Sequence, residues 1–325
     1  MINDVIYSVF NAQQNLLRTY MSFVNKVLFS CFLLISFNLT PSIGQTLIKK
    51  TIQVEQQKSL LWKIEGKDLK APSYLFGTIH LIPRSKFLFN NSMNQALSNS
   101  ENVVFEIDMN VMNDFTQMFG ILSKIRMPDG VTIKDLLSPE DYKLFTDKFA
   151  EQGLPTAFLE GIKPMFLSAM GGDAGMGGDG DMVSYEVELS EKAKEQGKKI
   201  GGLETIDEQL AVIDSISLKD QAAMLVESLK STDASSGYDE MVKRYLEQDV
   251  EGLNTYINES PEAKDKDMMN SLLSTRNKKW IPAMEKTMVE NPTFFAVGAG
   301  HLGGKEGVIN LLREAGYKVS AVVEM

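Results

Sequence analysis

The sequence predicts an α/β fold, a mixed and largely parallel sheet flanked by helices. Three observations carry this. A strand, a helix and a second strand fall within about 35 residues between Ser73 and Asp108, the pattern of a βαβ unit. A strand, a tight turn, a helix and a last strand fill Thr293 to Val323. One short word, an apolar strand followed by Gly-x-x-His-Leu, occurs at both places.

Taken in order, a polar linker precedes Ser73 to Ile79, which is rich in aromatic and branched residues and reads as a strand. A short helix is expected around Asn91–Leu97, then a strand over Asn102–Asp108. Ser138-Pro-Glu-Asp141 is a helix start: Ser caps, Pro sets the first turn, and the acids suit the positive end of the dipole. Tyr142, Phe145 and Phe149 then share a face. Gly171 to Asp181 is glycine- and aspartate-rich and reads as a mobile loop, a candidate lid. A helix from about Ser184 is expected to end at Gly197 in a left-handed cap. A strand over Lys199–Leu203 leads into Thr205-Ile-Asp-Glu208, a capping box that opens a long helix. Ser260-Pro-Glu is another helix start, and Trp280, Met284 and Met288 are spaced as one helical face. At the end come a strand over Thr293–Val297 and a helix over Lys305–Ala315 with Val308, Leu311, Leu312 and Ala315 inward. Gly316 caps it, and Lys318–Val323 is the final strand.

The chain has 325 residues, a net charge of −10 and 43% hydrophobic residues. That is ample for a sizeable core. An acidic balance argues against non-specific nucleic-acid binding, which needs a basic footprint. The single cysteine, Cys31, lies in Val27–Leu39, an uncharged apolar run preceded by Lys26 and followed by Pro41-Ser-Ile-Gly44. This is the order of a secretory signal, and the run is short for a membrane span. Initiation is expected at Met21 and cleavage after Gly44. Residues 1–44 are then an N-terminal extension and signal peptide, and 45–325 one α/β domain, exported to a periplasm or secreted. The alternative is a retained N-terminal anchor. With cleavage, the remaining chain has no cysteine, so disulfides and thiol catalysis drop out.

The only two histidines in the chain are those of the repeated word, Tyr74-Leu-Phe-Gly77-Thr-Ile-His80-Leu81 and Phe295-Ala-Val-Gly298-Ala-Gly-His301-Leu302. Two strand ends each present one imidazole, where ligands sit in parallel α/β sheets. Imidazole is the commonest metal ligand and the usual proton carrier near neutral pH. A catalytic metal site would add a hard oxygen ligand and leave one position for water. Glu106 is the candidate, a carboxylate inside the apolar strand Val103–Ile107 that needs a partner there. Two nitrogens and a carboxylate suit manganese, cobalt, iron or zinc. For either histidine alone, a hydrogen-bonded loop residue is the plain alternative; for Glu106, an edge-strand carboxylate in water.

Glu204 follows a strand end and either faces the same crevice or serves the helix dipole. Glu186 is a further acid near the site or, on ordinary burial grounds, a solvated helix-start residue. Arg276 either holds a substrate carboxylate or reaction oxyanion or makes a surface ion pair. Met109, Met112 and Met118 are core filler or the lining of a peptide groove. The glycine loop lacks the Gly-Lys-Ser/Thr ending of a phosphate loop. A Ser-His-Asp set is excluded because both histidines belong to one repeated motif.

The words Leu75-Phe-Gly-Thr-Ile-His80, Val104-Phe-Glu-Ile-Asp108, Gly202-Leu-Glu-Thr205 and Val297-Gly-Ala-Gly-His-Leu-Gly303 resemble those of the TraB/GumN family, which includes the Tiki proteases. The resemblance covers residues 58–323, and the paired Gly-x-x-His motifs in this order are its hallmark. It implies an α/β fold and a metal-dependent peptidase site in which His80, His301 and Glu106 are essential. Arg276, in Thr275-Arg-Asn277, also matches a family position. Members differ in outcome: some are proteases and others inhibit or sequester peptide signals. The expected partner is therefore a peptide or protein, cleaved or merely bound. No membrane helix is legible after the signal, so the chain is expected to be soluble, unlike the membrane-tethered Tiki proteins.

Overall fold

A computed structural model describes residues 58–323, except 129, 152–153, 155, 172–181, 231–233 and 260–265. The signal segment with Cys31, the body of the glycine-rich loop and the helix start at Ser260 lie outside the described residues.

Among the described residues eight strands form two sheets. They are β1 (Leu61–Glu65), β2 (Ser73–Thr78), β3 (Ile82–Pro83), β4 (Asn102–Ile107), β5 (Met182–Val183), β6 (Lys199–Glu204), β7 (Thr293–Gly298) and β8 (Lys318–Ala321). The main sheet has the order β6-β4-β7-β2-β1-β8, and β3 pairs with β5 separately. Neighbours among β6, β4, β7 and β2 run parallel. β1 is antiparallel to both β2 and β8. The sheet is thus mixed and mostly parallel, with helices packed around it.

The composition of each strand matches its place. β4 and β7 sit in the middle and are buried at every position, as continuous apolar runs covered on both faces should be. Phe294 and Phe295 of β7 are fully buried, and the Phe294 ring lies 5.8 Å from that of Phe76 on β2. Each such side chain contributes about 1.5–3 kcal/mol by leaving water. β6, at the edge, is only partly covered and carries Lys199 and two glycines.

Several boundaries differ from expectation. β1 falls within what reads as a polar linker, because Leu61-Trp-Lys-Ile-Glu65 is short and carries two charges. β2 and β4 are not neighbours: β7 inserts between them from far along the chain, which no local pattern reveals. The long helix after Thr205 is two helices, Ile206–Asp214 and Leu218–Lys230, and Ser217 caps the second by accepting from the Asp220 amide. The last helix begins at Val308 and turns Val308, Ile309 and Leu312 inward, leaving Leu311 and Ala315 half-buried. The strands reach Thr78, Ile107, Glu204, Gly298 and Ala321. The caps at Gly197 and Gly316 have φ of +64° and +94°, where a side chain would strain. Among the described residues no helix is long and apolar enough to cross a membrane.

Candidate metal and catalytic site

The four parallel strands carry Glu204 (β6), Glu106 (β4), His301 (after β7) and His80 (after β2) toward their C-terminal ends. The two Gly-x-x-His words lie side by side, with Gly77 paired to Val297 and Thr78 to Gly298. Their glycines serve different ends. A Cβ on Gly77 would stand 3.0 Å from Leu302 Cδ2 and 3.1 Å from Ala299 Cβ, so its absence lets β2 approach the turn after β7. A Cβ on Gly298 would stand 3.3 Å from Glu106 Oε1, 3.6 Å from His301 Cδ2 and 3.9 Å from His80 Nε2. Gly298 therefore leaves open the point on which the carboxylate and both imidazoles converge.

His301 is fully buried. Its tautomer follows from Asn277, whose Nδ2 donates to the carbonyls of His301 and Glu306. Asn277 Oδ1 must then accept from His301 Nδ1, at 2.6 Å. That leaves the Nε2 lone pair facing Arg276 Nη1 at 3.2 Å. Burial, reinforced by the nearby Arg276 and His80 charges, pulls the His301 pKa down to about 3, so the ring is neutral. The Trp280 ring packs against it, centroids 4.5 Å apart.

His80 is only half-buried, and its Nδ1 lies 3.0 Å from Glu186 Oε1. A carboxylate only accepts, so Nδ1 carries the proton. Glu186 is itself held by Thr78 Oγ1 (2.8 Å) and Ser184 Oγ (3.0 Å). Burial opposes the charged imidazole here too, but Glu186 outweighs it, and the His80 pKa lies above the ordinary histidine value. Glu186 is therefore not the solvated helix-start acid that residue statistics favour; it is 5% exposed and orients His80.

Glu106 is 6% exposed, away from the sheet's edges and from water. Oε1 accepts the Gly298 amide at 2.8 Å and Oε2 is ion-paired with Arg276 Nη2. Burial works against ionisation, but Arg276, the two histidines and the Gly298 amide prevail and hold its pKa at about 2. Arg276, 6% exposed, also pairs with Glu204, at 3.0 Å from Nε, so it makes no surface ion pair. Glu204 further accepts from Trp280 Nε1 at 3.3 Å. Although it shares the same guanidinium, its pKa is raised, because burial and the Glu106 charge outweigh the cation. One arginine cannot fully compensate two buried carboxylates. Glu106 keeps its charge, and Glu204 is the one eased toward protonation.

Among the described residues no three His, Cys, Asp or Glu side chains stand together as an ion's cage. Arg276 donates to both His301 and Glu106. The donor set nevertheless fits a divalent ion in kind and orientation. Each histidine gives its Nδ1 proton to an oxygen acceptor and turns Nε2 inward, the second-shell arrangement of metal-binding imidazoles. Glu106 Oε1 and His301 Nε2 are 3.8 Å apart, close to the roughly 3.3 Å between ligands about 2 Å from one tetrahedral ion.

Asn277 and Trp280 are site residues that sequence reasoning missed. Their signal was spacing: positions 276, 277 and 280 share one face of the helix Thr275–Glu290. Asn270–Ser274, just before, form a wide π-helical turn, a feature common at functional sites, and Arg276 Nη1 donates to Leu272 O within it. Of the three methionines read as a possible groove, Met109 is buried, and the side chains of Met112 and Met118 lie outside the described residues.

The sequence model of the TraB/PrgY/gumN family matches residues 60–321. A protein named metalloprotease TIKI2 from Danio rerio is 24% identical over 83% of this chain and 62% of its own length. Metalloprotease TIKI1 from Homo sapiens is 25% identical over 82% of the chain and 62% of its own length. The chain thus spans about three-fifths of the length of these relatives. A metalloprotease TIKI homolog from Nematostella vectensis is 22% identical over 81% of the chain. No solved structure matches.

Proposed function

The chain belongs to the TraB/PrgY/gumN family, and on that premise we propose that it is a metal-dependent peptidase acting on exported or extracytoplasmic peptides. His80, His301 and Glu106 would hold the ion, of manganese, cobalt, zinc or iron. The observation that carries the reading is the convergence over Gly298. Two imidazoles of defined tautomer and one ionised carboxylate aim at a point kept open by a missing side chain. Export rests on the apolar run Val27–Leu39.

Peptide hydrolysis adds water across the C–N bond: the water oxygen joins the carbonyl carbon, one water proton leaves, and the departing nitrogen gains one. A divalent ion at this site supplies Lewis-acid polarisation and an activated water near neutral pH. The protein supplies the rest. Asn277 and Glu186 fix the two rings so that Nε2 of each faces the site. Arg276, steadied by Glu204 and stacked over Trp280 at 4.9 Å, is placed to receive the negative charge that develops on the carbonyl oxygen. Glu106, with its pKa near 2, is a poor base and a good anionic ligand. His80, whose Nδ1 proton is held by Glu186, is left with Nε2 as its ligating atom.

The test is cleavage of unstructured peptides by chelator-stripped protein with manganese, cobalt or zinc restored, comparing wild type with Glu106→Gln. Glu106 as ligand predicts that the variant loses both metal and activity. Glu106 as base predicts metal retained and activity lost. Wild-type inactivity with every metal, or an equally active variant, would remove the peptidase reading. The alternative is a peptide- or metal-binding protein without turnover, and one observation favours its peptide-binding form: Arg276 already satisfies His301 Nε2 and Glu106. A pocket that stays in that state would bind without cleaving.

A further inference from the structure

Beside the convergence point lies a small half-open cavity of about 50 Å³, bounded by the ends of β2 and β7 and by the helices Ala234–Leu246 and Val250–Asn258. Gly298 and His80 belong to its wall, so it opens directly onto the proposed site. We propose that this cavity is the subsite for an apolar side chain, aliphatic or methionine, on the peptide residue next to the bond that is cut. The proposal rests on the peptidase reading of the same site and names its substrate class.

The wall decides the chemistry. Its hydrocarbon comes from Ile79, Leu81, Met241, Leu253 and Ile257. Apart from His80 Nε2, which the proposed ion takes, the polar atoms among its lining side chains are already engaged. Tyr238 donates its hydroxyl to Leu81 O at 3.1 Å, and Tyr245 donates to Gly77 O at 3.0 Å, so both present ring rather than hydroxyl. Thr78 Oγ1 donates to Glu186, and Glu186 is also bonded to His80. A charged or amide side chain entering here would lose its water and find no partner among Ile79, Leu81, Met241, Leu253 and Ile257, a cost of several kcal/mol on general grounds. A hydrocarbon chain meets no such penalty.

The size decides the rest. A cavity of about 150 Å³ admits benzene. One of about 50 Å³, a third of that and open on one side, suits the end of an aliphatic or thioether chain and is too small to enclose an indole or phenol. The space exists because the two Gly-x-x-His words diverge between the glycine and the histidine. The first has Thr78-Ile79 and the second Ala299-Gly300. A Cβ on Gly300 would stand 2.9 Å from Ile257 Cδ1, within the cavity wall. Gly300 and Ile257 thus set the depth of the subsite, and Met241, half-buried and flexible, sets its width.

Two measurements on the full chain test this, and one does not depend on catalysis. Methyl NMR of Met241, Ile79 and Ile257 during titration with N-acetyl-methioninamide or N-acetyl-leucinamide should show saturable shifts. N-acetyl-aspartamide should show none. In parallel, peptide-library cleavage by the metal-restored protein should select aliphatic residues or methionine at one position beside the cut. Met241→Trp should lower that cleavage by about tenfold or more, and Ile257→Ala should admit larger residues. Shifts without cleavage of any peptide would sink the peptidase reading and leave the apolar subsite standing. Cleavage without side-chain preference, or no methyl shift with either apolar probe, would overturn the subsite.

Discussion

His80 and His301 stand at the ends of adjacent parallel strands, in the same short word, and their surroundings make them opposite acids. His80 is half-buried and faces a carboxylate; its pKa is raised. His301 is fully buried, gives its proton to a carboxamide and accepts from a guanidinium; its pKa falls to about 3. The backbone device sets where the rings are, and the residues behind them set what they do. A repeated motif therefore yields a ring of raised pKa on one side and a neutral ring on the other.

The contrast breaks most completely at Arg276. It is the cation that both depresses His301 and compensates Glu106. Arg276→Met leaves the Glu106 carboxylate buried without its partner and should cost about 3–5 kcal/mol of stability by urea unfolding. A loss below about 1 kcal/mol would mean that the ion pair is not buried as described.

The two histidines also predict opposite pH windows. A folded pKa of about 3 for His301, against 6.5 in the unfolded chain, means that the unfolded state binds more protons between those values. Its contribution is therefore lost as pH falls from about 6.5 toward 3, at up to about 1.4 kcal/mol per pH unit. Glu106, depressed from 4.5 to about 2, adds to the loss below pH 4.5. His80 has the reverse sign: its contribution is present below its unfolded pKa and fades as pH rises through the raised folded one. Urea unfolding across this range should show the acid loss in wild type and a shallower one in His301→Gln.

Much of this arrangement was legible beforehand. The repeated word placed both histidines on strand ends, and the apolar run around Glu106 marked it as a carboxylate with something to satisfy. The order of strands was not legible, because β7 enters the sheet between β2 and β4 from the far end of the chain. Nor was the role of Glu186. At the start of the helix Tyr185–Glu195 it looks like a dipole-serving acid, and it is buried only because Thr78 and His80 meet it from another strand. Asn277 was hidden for the same reason: its partners, His301 and Glu306, are distant in sequence.

Exchanging the partners should exchange the histidines. Asn277→Asp puts a carboxylate behind His301 and should raise its pKa; Glu186→Gln should lower that of His80. With two histidines in the whole chain, imidazole NMR titration reads both directly. The smallest effect is expected at Thr78→Val, which removes one hydrogen bond to Glu186 and should cost about 1 kcal/mol, with His80 still paired.

The central claim is that both imidazoles serve one ion. Zinc titration followed by the two imidazole NMR signals tests it most directly. The account predicts that both signals move together and saturate at one equivalent of zinc, and that His80→Ala and His301→Ala each abolish the response of the remaining ring. Movement of one signal alone, or an undiminished response of one ring after loss of the other, would contradict it.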